Sequence, residues 1–183
     1  MKKDIILAGV GGQGILTIAT IIGDAAATAG VNLKQAEVHG MSQRGGDVQS
    51  NLRLSTDAIY SDLIKQGSAD IIISMEPMEA LRYIPYLSKE GWVVSSSHPF
   101  KNIPNYPDEQ AMMEEFNSLP HSAALPIEDL AKQNNLPMPA PVIRRKPRWA
   151  IRAPNSSAAR KYFSSICVLE AQYTQTEVIS IQN

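Results

Sequence analysis

The sequence predicts an α/β fold, a Rossmann-like, doubly wound and mostly parallel sheet with an inserted β-hairpin. Three observations carry this. Short apolar runs at 4–9, 69–74 and 91–96 have the length and β-branched content of strands buried on both faces. Stretches with apolar residues near helical spacing lie between them. A glycine-rich loop follows the first run directly, where a strand turns into a helix.

Taken in order, Asp4-Ile5-Ile6-Leu7-Ala8-Gly9 is the first strand. Leu16, Ile18, Ile21, Ile22 and Ala25 mark one face of a helix over 14–29, and Gly30 stands where a C-terminal helix cap is expected. A second strand spans 31–38. In the next segment Val48, Ser50, Leu52 and Leu54 alternate with Gln49, Asn51, Arg53 and Ser55. Thr56-Asp57 then reads as a turn and 58–61 as the returning strand of a hairpin. A third buried strand is expected at 69–74, a helix at 76–87 and a fourth strand at 91–96. Pro99, Pro104 and Pro107 make 98–107 a loop, Asp108 caps a helix to Ser118, and a short strand at 123–126 precedes a helix to Gln133.

The chain is expected to divide at about residue 135. Five prolines, at 137, 139, 141, 147 and 154, punctuate the segment that follows, and seven basic residues with no acidic one lie between Arg144 and Lys161. A helix over 157–171 is expected there. The basic cluster reads either as an anion patch or as a solvated tail.

At 183 residues, 44% hydrophobic and 19% charged, the chain has the means for one proper core, and its net charge of −1 argues against a nucleic-acid partner. No apolar run approaches membrane-spanning length, and the apolar stretch after Met1-Lys2-Lys3-Asp4 is too short for a signal peptide; a cytoplasmic protein is expected. The single cysteine, Cys167, excludes an internal disulfide and a self-contained iron–sulfur cluster. His39, His98 and His121 lack metal-ligand spacing, so no metal is expected in this chain. Met75, Met78, Met112 and Met113 read as packing residues, and Trp92 as buried beside the fourth strand. Glu76 and Glu79 read as first-turn carboxylates suited to the helix dipole.

Two loops stand out. Gly9-Val10-Gly11-Gly12-Gln13-Gly14 satisfies G-x-G-x-x-G between a strand and a helix, where glycines let backbone N–H groups approach an anion. Glu37 lies about 20 residues on, in the place of a ribose-binding acid. A stand-alone NAD- or FAD-binding protein is therefore one reading. Against it stand Gly12 and Gln13 between the second and third glycines, the hairpin after the second strand, and the lack of a hydride-transfer constellation. The other loop, His39-Gly40-Met41-Ser42-Gln43-Arg44-Gly45-Gly46, sets flexible glycines around a planar cation and reads as a holder of an anion or of a partner's polar loop.

The two loops at this spacing, the strand at 48–55 with its Arg53, and Ser68-Ala69-Asp70-Ile71-Ile72-Ile73-Ser74 together resemble the gamma subunit or domain of the 2-oxoacid:ferredoxin oxidoreductases. Among its forms the chain is most similar to the small, beta subunit of the indolepyruvate enzymes, over about residues 3–135. The resemblance implies a non-thiamine subunit, inactive alone. Thiamine diphosphate, Mg and iron–sulfur clusters would sit on a large partner subunit. The complex would decarboxylate a 2-oxoacid oxidatively, take up coenzyme A and pass electrons to ferredoxin. It further implies that Gly9, Gly11, Gly12, Gln13 and Gly14 face an anionic part of coenzyme A or a partner loop, and that residues 39–46, Arg44 foremost, line the subunit junction. No catalytic residue is expected in this chain alone. The sequence departs from the family pattern at 138–149, where Met-Pro-Ala-Pro-Val-Ile-Arg-Arg-Lys-Pro-Arg-Trp stands in place of an asparagine-containing, Leu-Gly-Ala-like helix; divergence and an altered reading frame both account for it.

Overall fold

The computed structural model describes residues 1–39, 46–101 and 103–133, with only the backbone of His39. Six strands form one mixed sheet: β1 (Lys2–Val10), β2 (Asn32–His39), β3 (Asp47–Ser55), β4 (Ala69–Ser74), β5 (Leu87–Ser96) and β6 (Ser122–Leu125). Their spatial order is β2-β3-β1-β4-β5-β6. The β1–β4, β4–β5 and β5–β6 pairs are parallel, whereas β3 runs antiparallel to both β1 and β2. Three helices connect strands, α1 (Ile15–Thr28), α2 (Pro77–Arg82) and α3 (Glu109–Ser118), and α4 (Ile127–Gln133) follows β6.

Alternation along β1 sends Leu7 to one face and Ile6 and Ala8 to the other, and each face has its own core. Leu7 packs with Ile15, Ala19 and Ile22 of α1 and with Val48 and Leu52 of β3. Ile6 and Ala8 pack with Ile72, Val93, Ala80 of α2 and Phe116 of α3. Two cores on opposite faces make the sheet doubly wound, as the sequence predicts.

Local signals fixed several boundaries. Helix α1 ends in a Schellman motif: Gly30 takes φ +68°, its N–H reaches the Ala27 carbonyl at 3.1 Å, and Val31 N–H reaches Ala26 at 2.9 Å. Asp108 caps α3 by accepting the Ala111 N–H at 2.9 Å. Helix α2 stops at Arg82, short of the expected 87, because Pro85 cannot continue it; a 3₁₀ turn, Ile84–Tyr86, leads instead into a longer β5.

The inserted hairpin has different strands from those expected. Residues 58–61 form no strand, and β3 pairs with β2 in full register from Asn32↔Ser55 to His39↔Val48. Its other edge is taken by β1, so no edge was left for a returning strand. The Arg53 guanidinium instead holds the carbonyls of Ser61 and Leu63, at 3.0 and 3.2 Å, in a loop. Trp92 is half-buried on β5 and stacks on His121, with centroids 5.2 Å apart and planes 14° apart. The expected division at 135, the basic cluster, the 157–171 helix and Cys167 lie outside the described residues.

Candidate functional site at the carboxyl edge of the sheet

Strands β1, β4, β5 and β6 all end at one edge, and α1 and α2 leave β1 and β4 towards opposite faces. That divergence opens a crevice at the carboxyl ends of the strands, the usual ligand position in open α/β sheets. A cleft of about 70 Å³ lies there, lined by Gly11, Gly12, Gln13, Met75, Ser96, Phe100, Ile127 and Glu128.

The first glycine loop forms its floor. Gly12 and Gly14 have φ of +105° and +84°, conformations that cost L side chains strain. Gly14 is the N-cap of α1 and offers no side chain to the helix's unpaired donors. At Gly9 a Cβ would lie 2.9 Å from both Gln13 Oε1 and Ile15 Cδ1, so glycine lets the loop close on β1. Gln13 fastens the loop: its Oε1 accepts the Val10 N–H at 2.7 Å and its Nε2 donates to the Met75 carbonyl at 3.2 Å. The side chain thus joins the ends of β1 and β4.

Besides the Val10 N–H, two more of the loop's amides are already spent. Gly11 N–H donates to the Gly46 carbonyl at 2.8 Å, and Gln13 N–H to Val10 at 3.0 Å. Among the described residues, the Gly12 and Gly14 amides donate to no acceptor. These two, with the first turn of α1, are the donors left to face an anion. The Gly11–Gly46 bond also ties the end of the second glycine loop to the first. His39 shares that edge, at the carboxyl end of β2; Gly40, Met41, Ser42, Gln43, Arg44 and Gly45 lie outside the described residues.

The insertion of β3 bears on the dinucleotide reading. In a dinucleotide half the strand carrying the ribose-binding acid lies beside the first strand. Here β3 separates β2 from β1, displacing Glu37 by one further interstrand spacing of about 5 Å.

Met75 and Phe100 supply the apolar walls, and Ser96 and Glu128 add polar groups. Sequence reading had singled out none of these as site residues, taking Met75 for packing alone. Their common signal was position: each follows or ends a parallel strand or opens α4. Beneath the walls Glu76 is fully buried, and its carboxylate accepts the Glu79 N–H at 2.9 Å, the Phe100 N–H at 3.4 Å and the Tyr106 hydroxyl. Burial, and then the bond to Glu76, push the Tyr106 phenol well above its ordinary range. Burial likewise raises the Glu79 carboxyl, an effect that its Arg82 partner, at 2.8 Å, opposes. Among the described residues no group of three or more His, Cys, Asp or Glu is placed to hold a metal ion, and no helix is long and apolar enough to cross a membrane.

A larger concavity, about 250 Å³, opens at the opposite edge beside Lys2, Asp4, Arg53, Tyr60 and Ser61. Its cation is committed. Arg53 gives two bonds to the buried Asp4, at 2.9 and 3.2 Å, besides those to Ser61 and Leu63, and Lys2 adds an ion pair at 3.1 Å. Size alone therefore does not identify the site.

Comparison with known proteins identifies the family. The chain is 50% identical over 104 residues to indolepyruvate oxidoreductase subunit IorB of Thermococcus kodakarensis, covering 56% of this chain and 51% of that one. It is 47% identical over 94 residues to the IorB subunit of Archaeoglobus fulgidus, covering 51% and 46%. The chain spans about half the length of the curated relatives it matches. Among solved structures, the gamma subunit of a keto/oxoacid ferredoxin oxidoreductase from Geobacter sulfurreducens superposes with a TM-score of 0.52 at 20% identity, over 73% of this chain and 66% of that one. The 2-oxoglutarate:ferredoxin oxidoreductase from Magnetococcus marinus, solved with 2-oxoglutarate, coenzyme A and succinyl-CoA, gives 0.53 at 20% identity over 74% and 22%. Both likenesses concern the fold. The sequence profile of the pyruvate ferredoxin/flavodoxin oxidoreductase family matches residues 4–158, and the chain belongs to that family.

Proposed function

We propose that this chain is the non-thiamine subunit of a 2-oxoacid:ferredoxin oxidoreductase acting on indolepyruvate or a related aryl pyruvate in the cytoplasm. The observation that carries it is the identity of about half over 104 residues with an indolepyruvate oxidoreductase subunit. The large partner subunit would hold thiamine diphosphate, Mg and the iron–sulfur clusters.

Within that complex the carboxyl edge is the working surface. The Gly12 and Gly14 amides and the start of α1 form a cradle for an anion, and the phosphates of coenzyme A have the matching charge. Met75 and Phe100 would cover the ligand's apolar parts and exclude water. Residues 39–46 would line the subunit junction, where the Arg44 fork would meet a carboxylate or phosphate. The bond from Gly11 to Gly46 supports one surface made of both loops.

Co-expression with a thiamine- and cluster-bearing large subunit tests this. A stoichiometric complex that reduces ferredoxin with indolepyruvate only when coenzyme A is present is the expected result. Failure to assemble, or saturable NAD or FAD binding by the chain alone, would overturn it. In the assembled complex Arg44→Ala is expected to cut activity without unfolding the subunit.

A further inference from the structure

We propose that Glu76 is the positioning residue of the carboxyl-edge cleft, its buried carboxylate fixing the distance between the glycine loop and the two apolar walls. Two elements, the first turn of α2 and the loop between β5 and α3, meet on this side chain. Oε2 accepts the Glu79 N–H in the first turn of α2; Oε1 accepts the Phe100 N–H and the Tyr106 hydroxyl, both from the loop between β5 and α3. Tyr106 in turn rests against Met112 Sδ of α3 at 3.7 Å. The backbone of Glu76 is pinned to β4 by Ser74, whose Oγ donates to the Glu76 carbonyl at 2.6 Å and accepts its N–H at 3.2 Å.

The arrangement exceeds what a helix cap requires. A serine or aspartate cap takes up first-turn amides with a short side chain. The longer glutamate here reaches a second segment and takes two donors from it. Among the described residues no cation touches it, so it is held by dipoles alone, and a buried charge held this way is costly unless every donor is in place. A bonded path runs from Gln13 to the Met75 carbonyl, through the next residue, Glu76, to Phe100. Met75 and Phe100 are therefore linked through the 3.4 Å contact between the Phe100 N–H and Glu76 Oε1.

This inference rests on the proposed role of the cleft, so its test has two readouts. The first is residue-resolved amide exchange and chemical shift on the full chain as wild type, Glu76→Gln and Tyr106→Phe. Weakening of its own acceptor in Glu76→Gln is expected to speed exchange at Phe100 about tenfold or more, and loss of the Tyr106 anchor of the same loop in Tyr106→Phe to speed it by a smaller factor. The Gly12 and Gln13 signals, outside direct contact with Glu76, are expected to shift, and more in Glu76→Gln. Exchange in β1 and β4 should stay unchanged. The second readout is steady-state kinetics of the complex, where a several-fold rise in KM for coenzyme A with kcat held is expected for Glu76→Gln. Changes confined to 77–80 would overturn the proposal, leaving Glu76 a helix cap. Shifts at Phe100 and Gly12 with an unchanged KM would uphold it while removing coenzyme A from the cleft. Tyr106→Phe keeps the test decisive if Glu76→Gln does not fold, because it leaves the carboxylate and the cap in place.

Discussion

The amino edge of the sheet and its carboxyl edge are built from the same strands, yet they dispose of their polar groups in opposite ways. At the amino edge Arg53 makes four hydrogen bonds, two to a carboxylate that is 1% exposed and two to loop carbonyls. A wide hollow surrounds it, but nothing in that hollow asks for a ligand. At the carboxyl edge the cleft is smaller, while two positive-φ glycines and an uncapped helix start present amides without acceptors among the described residues. On the proposed reading, binding capacity follows unspent donors, not volume. The amino edge locks β1, β3 and the 56–68 loop together; the carboxyl edge keeps its chemistry available.

The sharpest way to break this contrast is to unlock the amino edge. Arg53→Ala leaves the buried Asp4 carboxylate with only the exposed Lys2 as its cation and is expected to cost about 3 kcal/mol in urea unfolding, with cleft affinity unaffected while the protein stays folded. Replacing Asp4 and Arg53 together by Leu and Met should recover most of that loss. At the carboxyl edge Gln13→Ala removes two hydrogen bonds and is expected to cost about 1–3 kcal/mol, with much of the local effect falling on the β1 and β4 ends by amide exchange. Gly12→Ala has open space for its methyl group but the wrong backbone region, and about 1–2 kcal/mol is expected.

The smallest effect expected is a pH dependence at Glu79. Its folded pKa lies above the ordinary value of 4.5 because burial disfavours the charge. Between that value and the raised one the native state binds more protons than the unfolded state, so this group's contribution falls as pH rises through the window. Its slope is bounded at about 1.4 kcal/mol per pH unit, and Glu79→Gln should flatten it in urea unfolding followed across pH 4–7. An unaltered slope would mean that Arg82, half exposed beside it, cancels the burial.

Much of the fold was legible because its signals are local. Gly30, Asp108 and the isoleucine run of β4 act within a few residues of themselves, and the glycine loop declares its turn by composition. Strand partnership is not local. That β3 would take β2 on one edge and β1 on the other depends on residues far apart in the chain, and alternation alone allows 58–61 as readily. The site divided the same way. Gly9 to Gly14 announced themselves, whereas Met75, Phe100 and Glu76 became part of the cleft only when three strand ends met. A glutamate at a helix start reads as a dipole partner until the loop that brings Tyr106 to it is folded.

The most direct measurement is the KM for coenzyme A and for indolepyruvate of the complex assembled with Gly12→Ala. A several-fold rise in the coenzyme A value, with the indolepyruvate value and assembly unchanged, is expected if the carboxyl edge faces that ligand. Unchanged values for both, in a complex that assembles normally, would contradict it.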